Sequence, residues 1–239
     1  MRKVRADLHV HTCLSPCADD NMQATIIVQQ ARKMGLDMIA ICDHNSAENV
    51  EALVKAGVRE GLTVIGGMEI TSSEEVHILG LFDSQTELML LQDMVYENLP
   101  GENSDEAFGP QYVIDEWDHI IGKNSKLLIG ATSLTVEQIV NEIHERGGLA
   151  IAPHVDRQRF SLIGQLGFVP KGLKLDALEV SMPSASIKEK YDYPVICSSD
   201  AHFPEDIGRN PSCFMVEEAS FQEIGKALRQ EMGRMVVSN

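Results

Sequence analysis

Val4-Arg5-Ala6-Asp7-Leu8-His9-Val10-His11-Thr12 runs as a short apolar strand that finishes in two histidines. On extended backbone, residues two apart share a face, so His9 and His11 project together and are placed to grip one ion. Such a pair by itself fits a structural role as well as a metal. Repetition is what gives it weight. Asp43-His44 follows the apolar run 38–42, Asp200-Ala201-His202 follows 195–198, Glu69 ends the stretch that begins at Leu62, and His154 follows Ala150-Ile151-Ala152-Pro153. His77 lies inside the apolar run 76–81, where a solitary histidine would be read as a neutral packed side chain; with five companions it joins the set.

Working outward, apolar runs at 4–9, 38–42, 62–66, 76–82, 149–152, 175–180, 195–198 and 213–216 alternate with helical patterns. That alternation is the signature of parallel strands joined by crossover helices. Several runs are almost wholly apolar, as strands covered on both faces are. The fold class is therefore α/β, with residues 1–239 as a single domain of a length that suits one β/α barrel. In such barrels the loops after the strands share one rim, which gathers residues far apart in sequence.

The connecting segments carry helix punctuation. Ile27, Val28, Ala31 and Met34 fall on one face, and Gly35 follows as a stop. Asn45 with Glu48, Thr135 with Gln138, and Ser220 with Glu223 have capping-pair spacing. One stretch breaks the rhythm: about 83–130 is polar and irregular, with Pro100, Gly101, Gly109 and Pro110, and is read as an insert or lid over the site, with a plain helical decoration as the equal alternative.

Net charge is −16, from 20 Lys and Arg against 36 Asp and Glu, so a long polyanion meets a repulsive general field. No duplex nucleic acid is expected as a partner. Divalent ions would add positive charge only where an anion lands. The apolar segment near the N-terminus is too short for a signal peptide or a membrane span, so a cytoplasmic location and no membrane partner are expected. Five cysteines without a CxxC pair argue against a disulfide framework. Nothing in the pattern specifies an oligomeric state.

Mixed imidazoles and carboxylates suit zinc, manganese or iron and poorly suit calcium. One zinc needs three or four protein ligands. The eight candidates His9, His11, His44, Glu69, His77, His154, Asp200 and His202 exceed that, which points to two or three divalent ions sharing carboxylates. Arg157, Arg159 and Arg209 lie just beyond the metal motifs, and a guanidinium clamps phosphate with two parallel hydrogen bonds; Arg157 and Arg209 are the expected substrate-binding pair. His119 and His144 are read as structural or surface residues.

The segments Asp7-Leu8-His9-Val10-His11-Thr12, Cys42-Asp43-His44-Asn45, Gly67-Met68-Glu69-Ile70, Val76-His77-Ile78-Leu79-Gly80, Ala152-Pro153-His154 and Ser199-Asp200-Ala201-His202, in that order, resemble the motifs of the PHP (polymerase and histidinol phosphatase) family. The resemblance implies a distorted TIM-like (β/α)7 barrel, a trinuclear metal site at the C-terminal ends of the strands, and phosphoesterase activity. It also implies the roles: Glu69, Asp200 and His202 as catalytic residues of the centre, with Glu69 and Asp200 bridging ions, and a metal-bound hydroxide attacking phosphorus. Asp43 is expected to orient a ligand. Relatives often carry Ser-Asp-Gly after the paired histidines, whereas this chain reads Ser15-Pro16-Cys17-Ala18-Asp19-Asp20. Asp19 is the choice for the ninth ligand, because a hard anionic oxygen best replaces the aspartate; Asp20 and the Cys17 thiol stay open. The expected function is hydrolysis of a phosphate mono- or diester of a small molecule or nucleotide. The alternatives are a nuclease acting on short oligonucleotides and a non-catalytic metal-stabilised module.

Overall fold

β1 (Arg2–Val10) is wholly buried from Ala6 to Val10. There follow α1 (Ala24–Lys33), β2 (Met38–Ile41), α2 (Val50–Glu60), β3 (Thr63–Thr71), β4 (His77–Phe82), α3 (Gln85–Asn98), α4 (Asp105–Phe108), β5 (Tyr112–Ile114) and β6 (Ile120–Lys123). The second half adds α5 (Val136–Glu145), β7 (Leu149–Ala152), α6 (Leu162–Leu166), β8 (Ala177–Val180), α7 (Ala185–Lys190), β9 (Val195–Cys197), β10 (Ser212–Val216), α8 (Phe221–Leu228) and β11 (Met235–Val237). The structure is a computed structural model that describes residues 1–183 and 185–237. Every strand anticipated from the sequence is present. β5, β6 and β11 were not anticipated, being short and, in β6, largely exposed.

Among the described residues nine strands form one sheet in the order β11-β10-β1-β2-β3-β4-β7-β8-β9. A parallel bridge between Val10 and Ala201 joins β1 to the segment after β9, so the sheet nearly closes into a barrel. β10 and β11 pair antiparallel outside that seam. The interior is filled by Leu8, Met38, Ala40, Cys42, Leu79, Leu81, Ile151, Ala177 and Ile196. The helices pack over Ile39, Ile41, Met68, Ile78 and Leu178, which point outward. Interior packing is tight: a Cβ on Gly67 would lie 2.9 Å from both Cys42 Sγ and the carbonyl oxygen of Gly80, so Gly67→Ala is expected to disturb the barrel.

Two departures from a regular parallel barrel position the site. β4 pairs antiparallel with both β3 and β7. Glu69 lies near the end of β3 and His77 begins β4, yet the hairpin register, Thr71 opposite His77, delivers both to one rim. Second, the β1–β2 register shifts between Asp7 and Val10. Before this bulge Ala6 and Leu8 face the interior. After it Val10 joins the outer layer, so His9 and His11 turn inward. Re-aiming a side chain is what a bulge beside a site does. Simple alternation from Leu8 would have put both histidines under the helices.

The 83–130 stretch is more regular than its composition implies. It opens with α3, capped by Ser84 and packed through Leu88, Leu91 and Val95. The β5–β6 hairpin then leans on the rim: Tyr112 N donates to Cys13 O (3.1 Å) and Ile114 N to Asn49 Oδ1 (2.9 Å). The Thr135–Gln138 capping box is present. The Asn45–Glu48 pair is not a cap, because α2 starts at Val50 behind Asn49. Asn45 instead donates to Leu128 O and Gly130 O and accepts from Thr71 N, tying the insert to β3. Among the described residues no helix is long and apolar enough to cross a membrane.

Candidate metal centre

Interior phase explains which strand residues reach the site. Ile65 and Gly67 precede Glu69, Leu79 and Leu81 follow His77, and Ala177 precedes Glu179, each at two-residue steps on the inward face. At the rim the interior stops being apolar. Glu69 is 1% exposed and stands at the middle. Its Oε1 lies 2.7 Å from His77 Nδ1, 3.1 Å from His154 Nε2 and 3.5 Å from His9 Nε2. Its Oε2 lies 3.0 Å from His44 Nδ1 and 3.4 Å from His11 Nε2. Asp200 Oδ1 closes the group at 3.1 Å from His11 Nε2 and 3.3 Å from His9 Nε2. His202 stacks on His11, with ring centroids 4.1 Å apart.

All eight ligand candidates thus converge, whereas Asp19 and Arg209 do not. The Asp19 carboxylate folds back on Asn21, accepting from its backbone N (2.9 Å) and Nδ2 (2.7 Å), the habit of an aspartate in a turn. Arg209 pairs with Asp206 on its own turn at 3.0 Å and is well exposed. Arg157 does reach the mouth: its guanidinium holds Asp200 Oδ2 and Ser181 Oγ. Cys17, one of the open alternatives, meets the side chains of His202 and His44. Burial raises its thiol, but those two imidazoles outweigh this and bring it down to about 5.

Four supporting residues were missed. Glu179 Oε1 accepts from His9 Nδ1 at 3.1 Å. Ser15 Oγ donates to Asp43 Oδ1 (2.7 Å) and accepts from His11 Nδ1 (2.9 Å), while Thr12 supplies two further bonds to Asp43. Asp43 is thereby joined to His11 through Ser15. Asp7 accepts from Ser199 N, Ser199 Oγ and Gly208 N, anchoring the loop that carries Asp200 and His202. A carboxylate at an inward position of an otherwise apolar strand was the readable signal for Glu179.

These bonds test whether a cation fits. With Nδ1–H of His9 given to Glu179 and that of His11 given to Ser15, each ring turns an Nε2 lone pair inward, and the two Nε2 atoms lie 3.1 Å apart. Facing lone pairs at that distance repel unless a proton or a metal lies between them. His44 Nδ1 and Glu69 Oε2 are buried without a hydrogen-bond partner, which points the same way. The donor atoms form three groups, His11/His44/His202, His9/His11/Glu69/Asp200 and His44/Glu69/His77, each within 4.8 Å. Without a cation, protons respond. Burial lowers His9, but Asp200, Glu179 and Glu69 outweigh it and hold it well above its ordinary value. Burial would raise Glu69, but His77, His9 and His44 hold it well below the carboxylate range. His77, where burial prevails, falls to about 4 and keeps its lone pair at neutral pH.

Relatives were found by sequence and by fold. A phosphoribosyl 1,2-cyclic phosphate 1,2-diphosphodiesterase from Eggerthella lenta is 34% identical over 80 residues, covering 31% of this chain and 29% of the relative. The crystal structure of the lesion-specific endonuclease Q from Pyrococcus furiosus superposes with a TM-score of 0.76 at 22% identity, covering 98% of this chain and 58% of that one. A second endonuclease Q structure, with a 27-mer duplex carrying an abasic lesion at its active site, gives 0.75 at 21% identity, covering 98% and 58%. This chain thus spans less than two thirds of each of these relatives. The duplex complex overturns the exclusion of duplex nucleic acid drawn from net charge. An anion responds to the local field where it lands, and the total of −16 says little about that field. The model of the PHP-associated region matches residues 182–231, which hold Asp200 and His202. The PHP domain model matches residues 7–157, with His9, His11, His44, Glu69, His77 and His154 inside it, and the chain belongs to the PHP domain family.

Proposed function

We propose that this chain is a metal-dependent phosphodiesterase that cuts nucleic-acid strands, with two or three divalent ions held by His9, His11, His44, Glu69, His77, His154, Asp200 and His202. The observation that carries the reading is Glu69, whose two oxygens face two different sets of imidazoles and so suit a carboxylate shared between ions. When bound, such ions supply a Lewis acid for phosphoryl oxygens and lower the pKa of water. The chain's own residues do the positioning. Glu179 and Ser15 fix the tautomers of His9 and His11, so that both Nε2 atoms point inward. Arg157, half-exposed at the mouth beside Asp200, is placed to take a phosphate oxygen. The 99–130 part of the insert is tied by hydrogen bonds to Cys13 and Asn45, close in sequence to His11 and His44. Support for a strand as substrate comes from the endonuclease Q likeness over 98% of the chain.

The test is a panel on purified protein of measured metal content, with added manganese, iron or zinc. Substrates are a short single strand, an intact duplex, a duplex with one abasic site, and bis(p-nitrophenyl) phosphate. Metal-dependent scission of a strand, abolished by chelation, is expected. Hydrolysis of the bis ester alone would remove the nucleic-acid assignment and leave the phosphodiesterase. Full activity in His9→Ala or Asp200→Ala would remove the metal centre.

A further inference from the structure

Cys17 lies in the turn between β1 and α1, two residues past Ser15, whose hydroxyl touches His11 and accepts from the backbone N of His44. That turn is pinned on both sides. Ala18 N donates to Ser15 O at 2.9 Å, and Asp19 N donates to His202 O at 2.9 Å. The turn thereby holds Cys17 next to His202 and, through Ser15, next to His44. Those two, with His11, form one of the three groups able to hold an ion. Of the three groups, this alone contains no carboxylate. His44, shared with the Glu69 and His77 group, is 4% exposed, and its Nδ1 lies 3.0 Å from Glu69 Oε2.

We propose that Cys17 supplies a thiolate to the ion position bounded by His11, His44 and His202, so that one ion of the centre has three imidazoles and one sulfur. This rests on reading the cluster as a metal centre. The sulfur binds as thiolate, its proton having gone to solvent, and no redox change is involved. Three nitrogens and one sulfur are a tetrahedral zinc set, whereas Glu69 and Asp200 give the other positions the oxygen donors that manganese accepts. The centre is then chemically uneven, with a zinc-selective outer position and harder inner ones. The other cysteines serve as internal controls. Burial pushes Cys13 up to about 12 and Cys197 up to about 11, and Cys42 and Cys213 are buried.

The experiment is cobalt(II) loading of the ion-free protein, followed by absorption, in the wild type, Cys17→Ser, Cys17→Ala and Asp19→Asn. Visible ligand-field bands report a metal centre of any kind. A near-ultraviolet sulfur-to-cobalt band reports Cys17. The expected result is both bands in the wild type and Asp19→Asn, with only the visible bands in the two Cys17 variants. Alkylation of Cys17 by iodoacetamide, followed by mass spectrometry, is expected to slow at least about tenfold on adding zinc, and zinc preference over manganese is expected to fall by a similar factor in Cys17→Ser. Visible bands without the sulfur band in the wild type would overturn the Cys17 assignment and leave the centre standing. An absence of cobalt binding would overturn both.

Discussion

The centre has two halves that are built in different ways. His9, Glu69 and His77, with Glu179 behind them, sit on strands and are 0, 1, 8 and 1% exposed; Glu69, His77 and Glu179 continue the inward phase of the barrel, and the β1 bulge brings His9 into it. His44, His154, Asp200 and His202 sit just past strand ends, on turns. There the backbone itself is unusual: Asn45, His154 and Asp200 have φ of 50, 35 and 52°. Asn, Asp and His enter this left-handed region more readily than other side chains, but each such residue persists only when its surroundings over-determine it. Here they do, through Asn45 clasped to Leu128 and Gly130, and Asp7 holding Ser199 and Gly208. Sheet register thus fixes one half before any ion is present, while hydrogen-bonded turns set the other half around it.

Glu69 is where the halves meet, so it gives the largest expected effect. Glu69→Gln keeps the shape, removes the charge and replaces one of the two oxygens that face the imidazoles with an NH2, which cannot hold an ion. Turnover is expected to fall on the order of 10³-fold, with loss of bound metal and an unchanged circular dichroism spectrum. A loss below tenfold would mean that the halves work independently. Glu179 tests the strand half alone. Glu179→Gln leaves an oxygen for His9 Nδ1 but removes the charge that makes the imidazole basic, and metal affinity measured against a chelator is expected to drop about 10–100-fold.

The same division explains what the sequence made legible. Strand residues could be read from apolar runs, because burial on both faces leaves little choice of residue type. Turn ligands could be read because Asp43-His44 and Asp200-Ala201-His202 abut those runs. Non-local facts were hidden. A parallel reading of β4 sends His77 to the far rim, and only pairing with β3 brings it back. The bulge in β1 is a relation between two strands that no single-strand pattern contains. The ninth position was argued from charge, which favoured Asp19. The turn decided otherwise, giving the Asp19 carboxylate to Asn21 and its backbone N to His202.

Protons couple the halves in a measurable way. In the ion-free fold, burial opposes the charge on His9, His11 and His44, yet neighbouring carboxylates raise all three above the ordinary 6.5. Groups raised on folding stabilise the fold below their unfolded value, and that stability is lost as pH rises through the folded value. Ion-free protein is therefore expected to lose thermal stability on the alkaline side of neutrality. Metal must displace these protons, so apparent affinity is expected to rise with pH, about tenfold per unit for each proton released. Calorimetry in buffers of differing ionisation enthalpy counts those protons. A pH-independent affinity would mean that the inward nitrogens are already bare.

Ser15 gives the smallest and most local effect, and it asks whether a turn can govern the candidate ligand that directly follows β1. Its hydroxyl is the single link between Asp43 and His11 Nδ1, and it also accepts from His44 N. Ser15→Ala leaves Asp43 with both bonds from Thr12, so the carboxylate stays satisfied and the fold should hold. His11 loses the acceptor that fixes its tautomer, and some molecules will turn a protonated Nε2 toward the ions. Metal affinity is then expected to fall about tenfold, the low end for a residue that orients a ligand, with the Michaelis constant little changed. An unchanged affinity would show that the β1 bulge alone aims His11, and the strand half would then owe nothing to the turns around it.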